Sequence, residues 1–265
     1  MIAFRLELRR SRGLIVWLGL MLFAYGGVMG LMHPFMREND ALIQQYMDAF
    51  PEGFAAAFGM NGILSDPGVF FTTYIASWLW PIIAATAAIL TGTRAVAADL
   101  DRGFLDLPLA TRVSRARYLA ASIWTQVVVM AVLSVTAVVG MWGFGRLAGA
   151  EFDLLRFLLG GVLCFSFGLA IAGPVTLLSV ITLSRGTTSA IVGGVLVAMY
   201  AIFVVTQIAE DWAWLGPLSA WHHFGTTALI DEGVFPMGDA ALFAAFAVGG
   251  WLAALWAFRR RDLAA

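Results

Sequence analysis

The sequence predicts an all-α integral membrane protein with six transmembrane helices, and three observations support this fold class. Hydrophobic residues make up 61% of the 265 residues and charged residues only 12%, against roughly 45–50% and about 25% in ordinary soluble domains. Six stretches are apolar and long enough to cross a bilayer, which takes about 20 residues. The arginines between these stretches fall mainly on one side of the predicted membrane. A typical soluble enzyme, a disulfide scaffold and a disordered protein are therefore excluded.

The six predicted spans are separated by segments that hold nearly all of the charged residues. The spans cover residues 14–33, 68–97, 118–145, 157–184, 187–209 and 240–258. A short polar string at 184–189 separates the fourth span from the fifth and predicts a tight turn. A cleaved signal peptide is the competing interpretation of the first stretch, but that stretch is longer than a signal core of about 7–15 residues.

The placement of the basic residues predicts the orientation of the chain. All 16 are arginine, and 13 of them lie on the cytoplasmic side if the N-terminus is inside. The other three are Arg37, Arg146 and Arg156. Because cytoplasmic loops of membrane proteins are enriched in basic residues, we expect both termini to be cytoplasmic.

Three segments outside the spans carry their own patterns. Residues 1–12 place arginines on one helical stripe, which fits either an interfacial helix along the inner surface or a plain basic anchor. The external loop 34–66 contains an amphipathic pattern over residues 42–50, which predicts a surface helix. The external loop 210–239 holds three tryptophans and is either a re-entrant pair of short helices or an external cap.

The cytoplasmic segment 98–117 differs most from the rest of the chain. More than a third of residues 99–117 are charged, and Leu105 and Leu109 share one helical face. A charged, amphipathic element at the membrane surface suits docking to a soluble partner. A solvated loop that only enforces the topology is the alternative.

The sequence of this segment resembles the signature of ABC-2 type transporter permeases, in which an acid, Gly, Thr-Leu, Leu-Leu-Ala and Pro-Val-Ser-Arg follow at fixed spacing. The matching residues are Gly103, Leu105, Leu109, Ala110, Val113, Ser114 and Arg115, with Asp101 in place of the usual glutamate. The departures are Phe104, Pro108 and Arg112. The six spans, the basic N-terminus and the two long external loops also fit that family.

The resemblance implies a type V exporter-like (ABC-2) architecture and a division of labour between subunits. Two permease subunits, as a homodimer or a heterodimer, would form the pore, and two copies of an ATPase would bind beneath it in a bacterial-type plasma membrane. The residues implied in ATPase coupling are Asp101, Arg102, Gly103, Leu105, Leu109, Ser114 and Arg115. Spans two and five would line the path, which makes Tyr74, Trp78, Met199, Phe203 and Gln207 candidate substrate contacts.

The chain is not expected to be an enzyme by itself. It contains no lysine, and a Walker A loop needs a lysine that reaches the nucleotide phosphates. ATP and Mg²⁺ are therefore expected in the partner ATPase, with no cofactor bound by this chain. Of the three histidines, His222 and His223 are adjacent, which does not suit zinc ligation, so no metal site or intramembrane protease is predicted. A net charge of −1 argues against a nucleic-acid partner.

The sequence thus predicts the membrane subunit of an exporter, whose cargo is an amphipathic or hydrophobic small molecule such as a drug, an antibiotic or a lipid. No span carries an ionisable residue near its centre, which argues against a proton-driven carrier. The alternative is a non-transporting membrane partner that transmits the strokes of an ATPase to another envelope protein.

Overall fold

The structure, a computed structural model, describes residues 2–47, 49, 53, 55, 59–60, 62–94 and 115–260. All regular structure in these ranges is helical. The α-helices are α1 Ile2–Glu38, α2 Asp40–Met47, α3 Pro67–Phe71, α4 Leu79–Gly92, α5 Arg115–Leu147, α6 Leu154–Thr182, α7 Arg185–Ile208, α8 Thr226–Glu232 and α9 Met237–Arg260. A π-helical turn, Thr72–Ala76, follows α3, and a 3-10 helix, Glu210–Leu218, follows α7.

Five of the described helices, α1, α5, α6, α7 and α9, are long and apolar enough to cross a membrane. Helix α3 with its π-helical turn is followed by α4 at a bend of 41°, and the two segments pass the same test only together, as one broken span. The predicted all-helical fold is therefore confirmed for the described residues, and five or six of the six predicted spans are present as helices of membrane length. These helices give the chain the character of a multi-pass membrane protein.

The N-terminal helix differs from the predicted one. Residues 2–12 are not a separate interfacial helix but the first turns of α1, which continues without a break to Glu38. Residues 2–12 contain neither proline nor glycine, so nothing in the local sequence interrupts helical hydrogen bonding. At 1.5 Å per residue α1 is about 56 Å long, which exceeds a hydrocarbon core of about 30 Å.

Helix α6 is the centre of the bundle. It packs against α4, α5, α7, α8 and α9. Its connection to α7 is shorter than the predicted turn, because α7 already begins at Arg185. Leu183 ends α6 in the left-handed region with φ 53°, and the Ser184 hydroxyl accepts the Thr187 N–H at 3.3 Å to cap α7.

Helices α1 and α5 form the most extensive helix pair in the described structure, and glycines bring their backbones together. A Cβ on Gly30 would overlap the Met141 carbonyl, and one on Gly140 would lie 2.6 Å from the Phe23 carbonyl oxygen. Lipid tails are as apolar as leucine, so membrane helices associate through such close packing and not through hydrophobic burial. The glycines therefore fix the distance between these two helices.

Substituting Gly30 by alanine tests this contact. We expect Gly30→Ala to destabilise the protein by about 1–3 kcal/mol, because the added methyl group has to displace backbone atoms of α5. Gly143→Ala is the matched control, since a Cβ there meets no atom within 4 Å. It should be neutral or stabilise by about 0.5–1 kcal/mol through helix propensity. Thermal unfolding in detergent checks both, and equal midpoints would contradict the prediction.

Candidate functional site

The break in the second span lies at Ser77 and Trp78, between the π-helical turn and α4. The Ser77 N–H donates to the Thr72 carbonyl at 2.8 Å, five residues back. The carbonyl of Ser77 would normally accept from the residue four positions on, but that residue is Pro81, which has no N–H. The break thus leaves a backbone acceptor that the helix itself cannot satisfy.

Trp221 satisfies this acceptor from the loop between the 3-10 helix and α8. Its indole N–H donates to the Ser77 carbonyl at 2.6 Å, and its ring packs edge-on against Phe167 of α6. Only 9% of Trp221 is exposed. Because unpaired backbone groups are costly in a bilayer, this bond holds the loop against the broken span.

Ser219 ties the same loop to α7. Its hydroxyl donates to the Met199 carbonyl at 2.8 Å and accepts the backbone N–H of Trp221 at 3.2 Å. The 3-10 helix and the turn that follows therefore lie over the break and along α7. The region 210–239 is folded back onto the spans in the structure, with Trp221 buried and Trp212 and Trp214 exposed.

A cavity of about 290 Å³ lies beside the break. Its walls come from the π-helical turn, the end of α7, the loop after the 3-10 helix and the start of α8. The lining residues are Gly59, Thr72, Ala76, Ser77, Phe203, Gln207, Trp221, His222, Phe224, Gly225, Thr226, Thr227 and Ala228. We call this cavity the break pocket. It combines aromatic rings with hydroxyl and amide groups, and no carboxylate or guanidinium is among the described residues that line it.

Hydroxyl groups join the two sides of the break pocket. The Thr72 hydroxyl lies 2.7 Å from that of Thr226 and accepts from that of Thr227 at 2.8 Å. Gly59 approaches from the first loop with φ +80°, and a Cβ there would overlap the Ser77 hydroxyl. The pocket is therefore assembled from four separate parts of the chain.

Asp231 caps the start of the broken span from α8. Its carboxylate accepts the N–H of Gly68, in the first turn of α3, at 2.6 Å. Arg156 donates to the carbonyls of Ile230 and Asp231 at 3.1 and 2.6 Å and so holds α8 to α6. Burial raises the pKa of the Asp231 carboxyl, although the Gly68 N–H and the Arg156 guanidinium act in the opposite direction.

The predicted path residues do not form one site in the structure. Phe203 and Gln207 both line the break pocket, whereas Met199 lines a second cavity between α6, α7 and α9. Tyr74 packs against Phe70, with ring centroids 4.7 Å apart. Trp78 is 40% exposed and meets Tyr25 of α1 edge-on.

The predicted coupling residues Asp101, Arg102, Gly103, Leu105, Leu109 and Ser114 lie outside the described residues. Arg115 is the first residue of α5.

His222 and His223 take different positions. His222 lines the break pocket. His223 donates from Nε2 to the Pro217 carbonyl at 3.1 Å, and its Nδ1 lies 2.7 Å from Asp239 Oδ1. In the part of the chain that the structure describes, no three histidine, cysteine or acidic residues come together as metal ligands.

Sequence reasoning missed the roles of Trp221 and Asp231. A signal for the first exists, because Pro81 four residues after Ser77 predicts an unpaired carbonyl that some donor has to satisfy. No local pattern marks Asp231, since its partner Gly68 is 163 residues away. Comparison of the chain with models of known families and with curated proteins found no match.

The bond from Trp221 to Ser77 can be tested by a double-mutant cycle. We expect Trp221→Phe to destabilise the protein by about 1–3 kcal/mol, because it leaves a buried carbonyl without a donor. Pro81→Ala restores an N–H at that position, so the cost of Trp221→Phe should be smaller in the Pro81→Ala background. Trp214→Phe, at a tryptophan that is 69% exposed, is the control. Equal costs in both backgrounds, measured by chemical unfolding, would contradict this account.

Asp231 predicts a pH-dependent contribution to stability. Its pKa in the folded protein is raised above the ordinary value of 3.8, so the folded state holds this proton more tightly than the unfolded state does. The stabilisation by the protonated Asp231 is complete at a pH below the ordinary pKa of 3.8. It is lost as the pH rises through the pKa of the folded state.

Asp231→Asn removes this titration and keeps an oxygen that can accept the Gly68 N–H. We therefore expect the stability of the native protein relative to Asp231→Asn to fall as the pH rises from 3.8 through the raised pKa of the folded state. Thermal midpoints of both proteins across this range give the measurement. A difference that stays constant with pH would show that Asp231 does not titrate differently on folding.

Proposed function

We propose that this chain is the membrane-spanning permease subunit of an ATP-binding cassette exporter. It forms the translocation path as a dimer and is driven by a separate ATPase subunit. The observation that carries the proposal is the charged segment 98–117, whose residues 101–115 resemble the ABC-2 signature. The all-helical bundle of membrane-length helices supports the proposal. Segment 98–117 joins two parts of this bundle, the broken second span and α5.

The exposed surface of α7 supports a second permease subunit. Only 11% of its most apolar window is buried, although α7 carries two residues of the break pocket. Gly186, Ala190, Gly194 and Ala198 recur at every fourth position and are exposed. Small residues at this spacing let membrane helices approach closely. Either a second copy of this chain or a different permease could pack against this face.

The proposed orientation places both termini in the cytoplasm of a bacterial-type cell. Segment 98–117 then lies at the inner surface, where an ATPase can reach it. The break pocket lies at the other end of the second span, beyond α4. Cargo would reach it from the cytoplasmic side, and an amphipathic drug, antibiotic or lipid fits its mixture of rings and uncharged polar groups.

A transport stroke in this arrangement uses the break as a hinge. Closure of the ATPase dimer would push segment 98–117 and tilt α4, which is joined to the π-helical turn only through Ser77 and Trp78. The second span already bends by 41° at this point, and such a break absorbs rotation more easily than a continuous helix. Movement of α4 would change the walls of the break pocket next to Phe203 and Gln207.

Association with an ATPase tests the coupling. The chain is co-expressed with its candidate ATPase, the complex is purified, and ATP hydrolysis is measured. We expect Asp101→Arg combined with Gly103→Pro to abolish association or to reduce hydrolysis to the rate of the isolated ATPase.

Arg185→Ala is the matched control, because Arg185 belongs to the other short connection predicted on the cytoplasmic side. It should retain the native rate. Failure of the native chain to associate, or a double mutant that behaves like the native chain, would overturn the permease proposal.

The break pocket is tested by cargo-stimulated hydrolysis in the same complex. A panel of amphipathic compounds identifies a stimulating one. We expect Phe203→Ala and Gln207→Leu to raise the concentration needed for half-maximal stimulation while basal hydrolysis stays unchanged. Val205→Ala, exposed on the same helix, should leave that concentration unchanged. If the complex hydrolyses ATP but no compound stimulates hydrolysis or is exported, mechanical transmission to another envelope protein would be favoured.

A further inference from the structure

A second cavity, of about 320 Å³, lies between α6, α7, α9 and the 3-10 helix. Its floor is formed by the buried side chains Phe167, Ile171, Val192 and Phe243. Its rim is formed by exposed apolar side chains, Val195, Leu218, Leu242 and Phe246. We call this the lateral cavity. It is separate from the break pocket, since no residue lines both.

The described side chains that line the lateral cavity offer no free polar group to water. Among its described lining residues only Ser219 and His223 carry polar side chains. The Ser219 hydroxyl is used by Met199 and Trp221, and both nitrogens of His223 are used by Pro217 and Asp239. A buried water needs two to four polar partners, and apolar cavities without them stay dry and can bind apolar ligands.

The mouth of the cavity opens on the side of the helix bundle. Its rim residues on α7 and α9 belong to helices that have the length and hydropathy of membrane spans. They are exposed on the surface of the bundle, where the surrounding medium is hydrocarbon. The molecules present there at the highest concentration are lipid acyl chains, so the cavity faces this ligand directly.

One end of the cavity carries the residues that are typical of a membrane–water interface. The 3-10 helix that forms this end exposes Trp212 and Trp214, and tryptophan is enriched at the membrane–water interface. His223 and Asp239 lie at the same end. From Phe167 to Leu178 the cavity follows α6 for about 16 Å, at 1.5 Å per residue. The site is thus elongated, with a polar end and an apolar body.

We propose that the lateral cavity binds one acyl chain of a bilayer phospholipid, with the headgroup beside Pro217, His223 and Asp239. Its volume lies within the range of about 300–1,000 Å³ that is usual for small-ligand sites. The bound chain fills the space between α6, α7 and α9 and supports the surface of α7, which has few protein contacts of its own. The proposal does not depend on ATP-driven export.

Photolabelling tests the proposal. The intact protein is reconstituted into lipid nanodiscs that contain phosphatidylcholine with a diazirine in one acyl chain. After irradiation, adducts are mapped on peptides. We expect adducts on Phe167, Ile171 and Phe243, which the protein shields from the bilayer unless a chain enters the cavity. Leu252, which is 62% exposed on α9 and outside the cavity, reports general contact with lipid.

Ala170→Phe fills the cavity and should remove the adducts on the floor while those on Leu252 remain. Leu196→Phe fills it from α7 and gives the same test if Ala170→Phe does not fold. Ala244→Phe is the matched control, because Ala244 is exposed on α9 and does not line the cavity. It should leave the floor adducts unchanged.

Absence of floor adducts in the native protein, or floor adducts that survive both filling variants, would overturn the proposal. A diazirine-labelled amphipathic drug provides a second arm. Floor adducts from that drug, in the absence of any from the lipid, would assign the cavity to cargo and reject the lipid.

Discussion

The carbonyl of Ser77 has no donor within its own helix, because Pro81 occupies the position from which an N–H would come. In a bilayer this acceptor cannot turn to water. The indole of Trp221 satisfies it, at 2.6 Å, from a loop 144 residues further along the chain. Much of the architecture around the break depends on this bond. It brings the 3-10 helix over the second span, and Ser219 then anchors the same loop to α7.

The polar contacts at the start of the second span complete this arrangement. Asp231 caps α3 from α8, and Arg156 holds α8 to α6. Side chains from distant parts of the chain therefore supply the hydrogen bonds that a continuous helix would supply for itself. The break pocket is a consequence of these contacts, since the π-helical turn and the loops around it enclose a space that regular helices would fill.

The rest of the bundle is held by close packing. Glycines bring α1 and α5 into backbone contact, and Gly173 of α6 meets Gly250 of α9 equally closely. Helix α7 differs, because it contacts α4, α6 and the 3-10 helix and leaves most of its surface exposed. This one helix borders both cavities, so whatever covers it, a lipid chain or a second subunit, would act directly on their walls.

The amino-acid sequence by itself determined that the chain is all-helical with several membrane-length helices, because hydropathy and span length depend only on local composition. It also indicated Phe203 and Gln207, which do line one pocket, since residues four apart share a helical face. The sequence did not reveal that α1 is continuous, that Trp221 is buried or that Tyr74, Trp78 and Met199 lie apart. Only the tertiary structure decided these points, because each depends on how helices distant in the chain pack and which of their backbone groups need a donor.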